Sequence, residues 1–296
     1  MSLSVNSVCV AIQRVKNHVL HIATTMIPRS NCVQTLPANN KGRDFVVGDL
    51  HGNIDLLFAA LHQVDFNPAA DRVLSVGNLI NKGPKSYETL KLLEKPWFHA
   101  VRGSEETLAL AWLTKNPEWG EDPMTFLLQG GNWIHQHTAD EKAHMVRLLE
   151  QMPAALSVSH PLEDYRVVHA LWSPVLSEPR PVASWRLWDA FWNKSLALDG
   201  AQIVQQAGVR FAEHQLLAKT PTWDDFFVPG RVTYCGHTIT YGVRLMHHGH
   251  LHLNGGLSHH NNTLGAQRSL VLVEHSQCFN HIQETPFFNR KNDDPN

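Results

Sequence analysis

Cysteine, net charge and long apolar runs are all scarce in this chain. Its 296 residues contain only four cysteines, which lie far apart and form no CxxC pair. Neither a disulfide framework nor a cysteine-rich zinc site is therefore indicated, and a reducing, cytoplasmic compartment fits best. The formal net charge of −2 provides no electrostatic attraction to nucleic acid or to anionic lipid. We therefore expect no nucleic-acid partner and no membrane partner.

The first 43 residues lack aspartate and glutamate altogether. They contain five Lys and Arg residues and a partly amphipathic stretch from Val8 to Ile27. A membrane anchor is disfavoured, because a span needs roughly 18 consecutive apolar residues and charged side chains interrupt this stretch. We interpret residues 1–43 as an N-terminal extension that packs on the domain. A cleaved or secretion-related leader stays open as the alternative.

The rest of the chain has the composition of an ordinary globular domain, with 43% hydrophobic and 18% charged residues overall. No low-complexity linker and no internal repeat divides it. We therefore predict one domain over residues 44–284, followed by an irregular Pro/Asn-rich tail over residues 285–296. The chain has 20 histidines, which is a compositional hint of metal binding.

Strand-like and helix-like segments alternate in the first half of the domain. This βαβαβ order predicts a parallel or mixed sheet with crossover helices. The predicted strands are 45–47, 72–76 and 98–101, and the predicted helices are 55–64, 86–93 and 106–114. Residues 121–153 are interpreted as helical. Later strands are predicted at 166–168, 232–235, 243–246, 251–253 and 270–273.

Polar residues follow the ends of five of these strands. Asp49 and His51 lie in VVGDLHG, and the loops GNLINKGP and VRGSEE follow the next two strands. His169 follows YRVV, and His237 follows VTYCG. Because ligands bind open α/β sheets outside the carboxyl ends of the strands, we expect these residues to meet at one edge. The five loops together favour a functional site over unrelated turn residues.

The motifs GDLHG, GNLINKGP, RGSEE, the strand-borne His169 and GHT occur in the order seen in a known family. They resemble the motif set of calcineurin-like metallophosphoesterases, in particular the phosphoprotein phosphatase branch with its phage lambda and bacterial Ser/Thr enzymes. The resemblance covers about residues 43–275. It implies an α/β fold, a four-layer αββα sandwich with mixed sheets. It also implies two divalent metal ions, often manganese, and a phosphorylated protein or phosphate ester as substrate.

The resemblance carries over to the metal ligands in part. It implies that Asp49 and His51 hold the first metal, and that His169 and His237 hold the second. Asn78 stands where the family has its bridging carboxylate, and Ser104 stands where it has an asparagine ligand. A bridging carboxylate holds two dications together and promotes ionisation of the water between them. We therefore expect one or two ions, with weak binding at the second site.

The catalytic positions depart from the family as well. Glu105 stands in place of the acid histidine, and Asn81 replaces its supporting aspartate. The pair is consistent, because an amide can donate a hydrogen bond to a carboxylate, whereas a second carboxylate would repel it. Lys82 replaces one phosphate-binding arginine, and Arg102 is expected near the phosphate or as a brace of its loop. The other arginine position falls on Ala190.

Two further positions bear on the site. The aspartate often found in the late strand before a Gly pair is Asn254 here. His248, His250 and His252 alternate along the same strand and so share one face. This face is interpreted as solvated, with a zinc or nickel site as the alternative.

Two classes of function stay open at this point. The first is a metal-dependent phosphomonoester hydrolase of Ser/Thr protein phosphatase type with weakened catalysis, and dinucleoside polyphosphate hydrolysis is a related enzymatic alternative. The second is a pseudophosphatase that recognises a phosphorylated partner without cleaving it. The departures from the family pattern decide between them, since each lost group could remove a few kcal/mol of transition-state stabilisation.

Overall fold

A computed structural model describes residues 33–115, 123–170, 231–240, 242–246, 250–258 and 268–283. These residues form two β-sheets and a set of helices. The strands are β1 (Val33–Leu36), β2 (Asp44–Val47), β3 (Arg72–Ser75), β4 (Phe98–Ala100), β5 (Ala155–Val158), β6 (Tyr165–Val168), β7 (Thr233–Ile239), β8 (Arg244–Met246), β9 (His250–Asn254) and β10 (Leu272–Glu274). The helices are α1 (Ile54–Gln63), α2 (Ser86–Leu90), α3 (Ser104–Thr114), α4 (Pro123–Leu128), α5 (Ala139–Glu150) and α6 (His275–Gln283), with 3₁₀ turns at Lys91–Glu94 and Gly131–Gln136.

Both sheets are mixed. The four-stranded sheet has the order β10-β2-β3-β4, with β2, β3 and β4 parallel and β10 antiparallel to β2. The six-stranded sheet has the order β1-β5-β6-β7-β9-β8, in which β6, β7 and β9 are parallel neighbours. The crossover helices between parallel strands follow from the βαβ order. The carboxyl ends of β2, β3 and β4 therefore point the same way, as the sequence predicts.

Successive side chains along a strand point to opposite faces of its sheet, and two separate hydrophobic cores result. In β2, Phe45 and Val47 pack with the helices, whereas Val46 packs against the other sheet. The first core also contains the apolar stripe of α1, namely Ile54, Leu57 and Leu61. The second core lies between the sheets. The described residues thus form a helical layer, a small sheet and a large sheet.

The mixed α/β sandwich predicted from the sequence is confirmed in these three layers. Residues 285–296 and Ala190 lie outside the described residues. The predicted helices and strands of the first half occur with their ends shifted by a few residues. Two strands, β1 and β5, were not predicted. They pair in parallel with each other, and β5 continues the sheet to β6.

Part of residues 1–43 belongs to the six-stranded sheet of the domain. Strand β1 lies inside residues 1–43, and the Leu36 carbonyl accepts a hydrogen bond of 3.0 Å from the amide of Ser159. Leu36 is buried in the core between the sheets. The assignment of residues 1–43 and of the domain limits stays a prediction. Within the described ranges, no helix is long and apolar enough to cross a membrane.

The interpretation of β9 as a solvated face is wrong. His250 and His252 are 5% and 2% exposed, and β9 lies between β7 and β8 within its sheet. Burial lowers the pKa of His252 to about 4, so its imidazole is neutral at pH 7. His248 lies outside the described residues. The alternation of histidines in the sequence predicted that they share one face of the strand, but it did not predict that this face is buried.

Candidate metal and phosphate site

The loops after the strands are bonded to one another at one edge of the sheets. The carbonyl of Asn78, after β3, accepts the amides of Leu50 and His51, after β2, at 3.1 and 2.8 Å. The amide of Gly236 in β7 donates to the carbonyl of His169 at 2.8 Å. Asp49, His51, His169 and His237 are thereby brought together from three separate stretches of chain, as the sequence predicts.

Asp49 is the buried acidic group at the centre of this edge. Its Oδ2 accepts hydrogen bonds from Nδ2 of Asn78 at 3.0 Å and from Nδ2 of Asn254 at 3.1 Å. Its Oδ1 accepts the backbone amide of His237 at 3.3 Å. Burial raises the pKa of Asp49 to about 7, against the lowering effects of His237 and Asn78. The carboxylate is therefore satisfied by N–H donors on both oxygens.

The imidazole of His169 has a defined orientation. Its Nδ1 lies 2.8 Å from the carbonyl of Val76, and a carbonyl only accepts, so Nδ1 carries the proton. Nε2 then has a lone pair, and it is buried without a hydrogen-bond partner. The ring lies 5.2 Å from that of His237, centroid to centroid. Burial lowers the pKa of His169 well below its usual value, which keeps the ring neutral.

The imidazole of His51 also lies close to a backbone carbonyl through its Nδ1. Its Nδ1 lies 3.3 Å from the carbonyl of Ile80, and its Nε2 lies 3.7 Å from Oδ2 of Asp49. His51 adopts a positive φ of 45°, which the hydrogen bond from its amide to the Asn78 carbonyl helps to maintain. The imidazole of His51 therefore lies beside the carboxylate of Asp49.

Asn78 is held between Asp49 and the start of α3. Its Oδ1 accepts hydrogen bonds from the amide of Glu105 at 3.0 Å and from Oγ of Ser104 at 3.2 Å. Its Nδ2 donates to Asp49. The side chain therefore directs its oxygen to the helix N-terminus and its NH₂ group to the carboxylate. Ser104 donates to Asn78 in this arrangement.

Glu105 is surrounded by donors. Its Oε2 accepts a hydrogen bond of 2.6 Å from Nδ2 of Asn81, and its Oε1 lies 3.3 Å from Nζ of Lys82. Oδ1 of Asn81 accepts from Nε1 of Trp133 at 2.7 Å, and Lys82 also reaches Oε1 of Gln129 at 3.4 Å. Burial raises the pKa of Glu105, and Lys82 and Asn81 lower it. The predicted partnership of Glu105 and Asn81 is present as a hydrogen bond.

Glu106 is a residue that sequence reasoning missed. Its Oε2 accepts the amides of Asn78 at 2.9 Å and Gly103 at 2.7 Å, and its Oε1 accepts the amide of Leu79 at 2.7 Å. It is fully buried and ties the loop after β3 to the loop after β4. The paired glutamates in RGSEE were the available signal, since two adjacent carboxylates at the start of a helix follow the end of β4, and both are buried.

Arg102 donates hydrogen bonds to two backbone carbonyls of the protein. Its Nη2 donates to the carbonyl of Met152, and its backbone amide donates to the carbonyl of Pro153 at 2.8 Å. The guanidinium is buried and connects the end of β4 with the segment before β5. These contacts favour the brace over the phosphate-binding role, which stays a prediction.

A model of the family described as calcineurin-like phosphoesterase matches residues 45–254. The chain therefore belongs to the calcineurin-like phosphoesterase family. It is 34% identical over 140 residues to Serine/threonine-protein phosphatase 2 of Escherichia coli K12, covering 46% of this chain and 62% of that protein. It is 28% identical over 195 residues to Serine/threonine-protein phosphatase 1 of Salmonella typhimurium, covering 64% and 83%.

A second kind of relative is also similar. Over 132 residues the chain is 30% identical to the symmetrical bis(5'-nucleosyl)-tetraphosphatase of Actinobacillus pleuropneumoniae, covering 44% of this chain and 45% of that protein. The match spans less than two thirds of the length of this relative and of the Escherichia coli phosphatase. Family membership is thus shown, and the particular activity is a matter for proposal.

Calcineurin-like phosphoesterases depend on divalent metal ions. The buried, unpartnered Nε2 of His169 fits such an ion, because a neutral imidazole nitrogen is a good ligand for manganese or zinc. The position of Asn78 does not fit a bridging ligand, since its NH₂ group faces Asp49. Within the described ranges no group of three or more His, Cys, Asp or Glu side chains is arranged to hold a metal ion. The site thus fits an ion on the imidazole side but does not fit the bridged pair.

Proposed function

We propose that this chain hydrolyses phosphate monoesters on serine or threonine side chains of proteins, with slow turnover. The observation that carries the proposal is the gathering of Asp49, His51, His169 and His237 at one edge of the sandwich. The relatives named as serine/threonine-protein phosphatases support this substrate class. The substitutions around Asp49 account for the reduced rate that we expect. A cytoplasmic location stays a prediction.

The proposed metal is a divalent ion, manganese, on the side of His169 and His237, with Asp49 and His51 beside it. When bound, such an ion activates water and polarises the phosphoryl oxygens. Ser104 and Asn78 are the remaining ligand candidates. The contacts they make with each other argue against a direct role in this conformation.

The remaining roles belong to the neighbouring loops. Lys82 is partly exposed and offers a point charge to a phosphate oxygen. Glu105 is held by Asn81 through Oε2 and lies beside Lys82 through Oε1. When Lys82 turns to the phosphate, a proton on Oε1 can pass to the leaving oxygen. Arg102 supports the loop that carries Glu105, a role that its hydrogen bonds to the carbonyls of residues 152 and 153 favour.

The direct test is turnover of p-nitrophenyl phosphate and of a phosphoserine peptide in manganese. The substitutions Asp49→Asn and His237→Ala should each abolish the activity, whereas His62→Ala on the exposed side of α1 should leave it unchanged. Activity that survives both site substitutions would belong to a contaminant. Absence of any turnover with the metal-loaded chain would remove the proposed function.

A pseudophosphatase is the second candidate, and a specific observation favours it. Asp49 and Glu105 are both already satisfied by side chains of the protein, the first by two amides and the second by Asn81 and Lys82. Such a site is stable without substrate or metal. Binding of a phosphopeptide without its cleavage, measured by calorimetry and phosphate release, would select this candidate.

Dinucleoside tetraphosphate hydrolysis is the third candidate. It is suggested by the similarity to a bis(5'-nucleosyl)-tetraphosphatase over 132 residues. A side-by-side comparison of a dinucleoside tetraphosphate with the phosphoserine peptide separates the two enzymatic functions. Faster cleavage of the dinucleotide, as kcat/KM, would replace the protein substrate by a nucleotide.

A further inference from the structure

Two asparagines present nitrogen, not oxygen, to the central carboxylate. Nδ2 of Asn78 and Nδ2 of Asn254 both donate to Oδ2 of Asp49, at 3.0 and 3.1 Å. A metal ion bound to Asp49 and shared with either asparagine would need an oxygen lone pair in that place. An amide NH₂ group has none to offer. The two groups instead supply the positive ends of dipoles where a cation would lie.

Asn78 cannot reverse its amide without loss. Its Oδ1 accepts from the amide of Glu105 and from Oγ of Ser104. A rotation by half a turn would place the NH₂ group against the Glu105 amide, so two buried donors would face each other. A buried donor without an acceptor is destabilising, because it loses its hydrogen bond to water without gaining another. The observed orientation is therefore fixed by α3.

Asn254 is locked in the same way by a different part of the chain. Its Oδ1 accepts the amide of Gly256 at 2.9 Å, and its Nδ2 donates to the carbonyl of His237 at 3.1 Å as well as to Asp49. If the Asn254 amide were reversed, its NH₂ group would face the N–H of Gly256, and its oxygen would face the carbonyl oxygen of His237. Neither pair can form a hydrogen bond. Two separate parts of the chain, the start of α3 and the segment after β9, thus each hold an asparagine NH₂ group against Oδ2 of Asp49.

We infer that the amides of Asn78 and Asn254 take the place of one of the two metal ions that the family motifs imply, so that this chain holds one divalent ion, on the side of His169. The inference deepens the proposed function and rests on its assignment of this edge as the metal site. It differs from a simple loss of one ligand, because the amides satisfy Asp49 in the folded chain. Aspartate at both positions would reverse the arrangement, since three carboxylates would then meet and require cations.

The test is the number of manganese ions bound per chain, measured by titration calorimetry and by elemental analysis after dialysis. We expect one ion for the wild type. The double substitution Asn78→Asp with Asn254→Asp should bind a second ion, at least about tenfold more tightly than any second binding event of the wild type. Asn254→Asp alone retains the contacts of Asn78 with α3 and serves as the milder variant.

Asn67→Asp is a matched control. Asn67 is exposed, and its Oδ1 accepts the amide of Ala69 at 3.1 Å, which an aspartate can do equally well. This variant should bind the same number of ions as the wild type. Two ions of similar affinity in the wild type would overturn the inference, and that measurement needs no variant to fold. Folded aspartate variants that gain no ion would also overturn it.

Ion binding is measured without substrate, so its result is separate from that of the turnover assay. A chain that binds one ion and hydrolyses nothing would remove the proposed function and leave this inference standing. A chain that binds two ions tightly and hydrolyses the phosphoserine peptide would overturn this inference and support the proposed function.

Discussion

Nε1 of Trp133 donates a hydrogen bond of 2.7 Å to Oδ1 of Asn81, and this bond decides which way the Asn81 amide faces. An indole N–H only donates, so Oδ1 lies towards Trp133 and Nδ2 lies towards Glu105. Asn81 itself has a positive φ of 68°, and its amide is held by Oγ of Ser86 at 3.0 Å. The tryptophan therefore positions Glu105 through one intermediate side chain.

Trp133→Phe should lower both stability and turnover. The substitution leaves Oδ1 of Asn81 without its donor, which costs about 1–3 kcal/mol when the group is buried. The amide is then free to reverse and present oxygen to Glu105, so kcat should fall more than KM rises. Urea unfolding and steady-state kinetics measure the two effects. Trp112→Phe is the matched control, and an equal loss in both variants would show a packing role alone.

Lys82 and Glu105 should be coupled energetically. The ion pair spans 3.3 Å, with Lys82 partly exposed and Glu105 buried, so we expect a coupling of about 1 kcal/mol. The free energies of unfolding of Lys82→Met, Glu105→Gln and the double variant give this value by a double-mutant cycle. Additive effects of the two single substitutions would show that the pair contributes nothing to the folded state.

Gly236→Ala should disturb Asp49. A Cβ at this position would collide with Oδ1 of Asp49 and would lie 2.6 Å from Cγ2 of Val76. Because Asp49 is held by three other groups, it cannot move aside easily, and we expect a loss of about 1–3 kcal/mol in the free energy of unfolding. Weaker manganese binding should accompany the loss. Wild-type stability together with wild-type metal binding would contradict the close contact.

A pH effect should arise away from the site, at the start of α6. The ring of His275 stacks on Tyr165 at 4.0 Å, and its Nδ1 lies 2.8 Å from the hydroxyl of Tyr234. Burial lowers the pKa of His275 to about 3, with a further lowering by His160 and a smaller opposite effect of Asp44. The folded state therefore holds this histidine neutral.

The sign of the effect follows from that shift. An unfolded histidine gains a proton near its ordinary pKa of about 6.5, while the folded one does not, so stability is complete above that pH and falls below it. The loss should reach at most about 1.4 kcal/mol for each pH unit below about 6.5. His275→Asn should flatten this dependence in urea unfolding between pH 7 and pH 4.5, and exposed His62→Gln should not. An unchanged slope in His275→Asn would assign the effect to other groups.

The strand ends were predictable because local patterns determine them. Short β-branched runs that end in glycine and are followed by helical periodicity mark parallel strands, and parallel strands deliver their following loops to one edge. The partnership of Asn81 and Glu105 followed from the family resemblance, which pairs these two positions, together with donor and acceptor chemistry. Strand β5 escaped prediction because ALSV contains a single β-branched residue, and strand β1 escaped it because VQTL is an edge strand whose pairing with β5 is not visible in the local pattern.

The sequence by itself determined which chemical groups this protein brings to the carboxyl ends of its strands, and in which order. Only the tertiary structure decided what those groups do to each other. The orientation of the Asn78 and Asn254 amides depends on the α3 amide of Glu105 and on the amide of Gly256, which lie far from Asp49 along the chain. An amide side chain can present oxygen or nitrogen, and the hydrogen bonds that make the choice exist only in the folded chain.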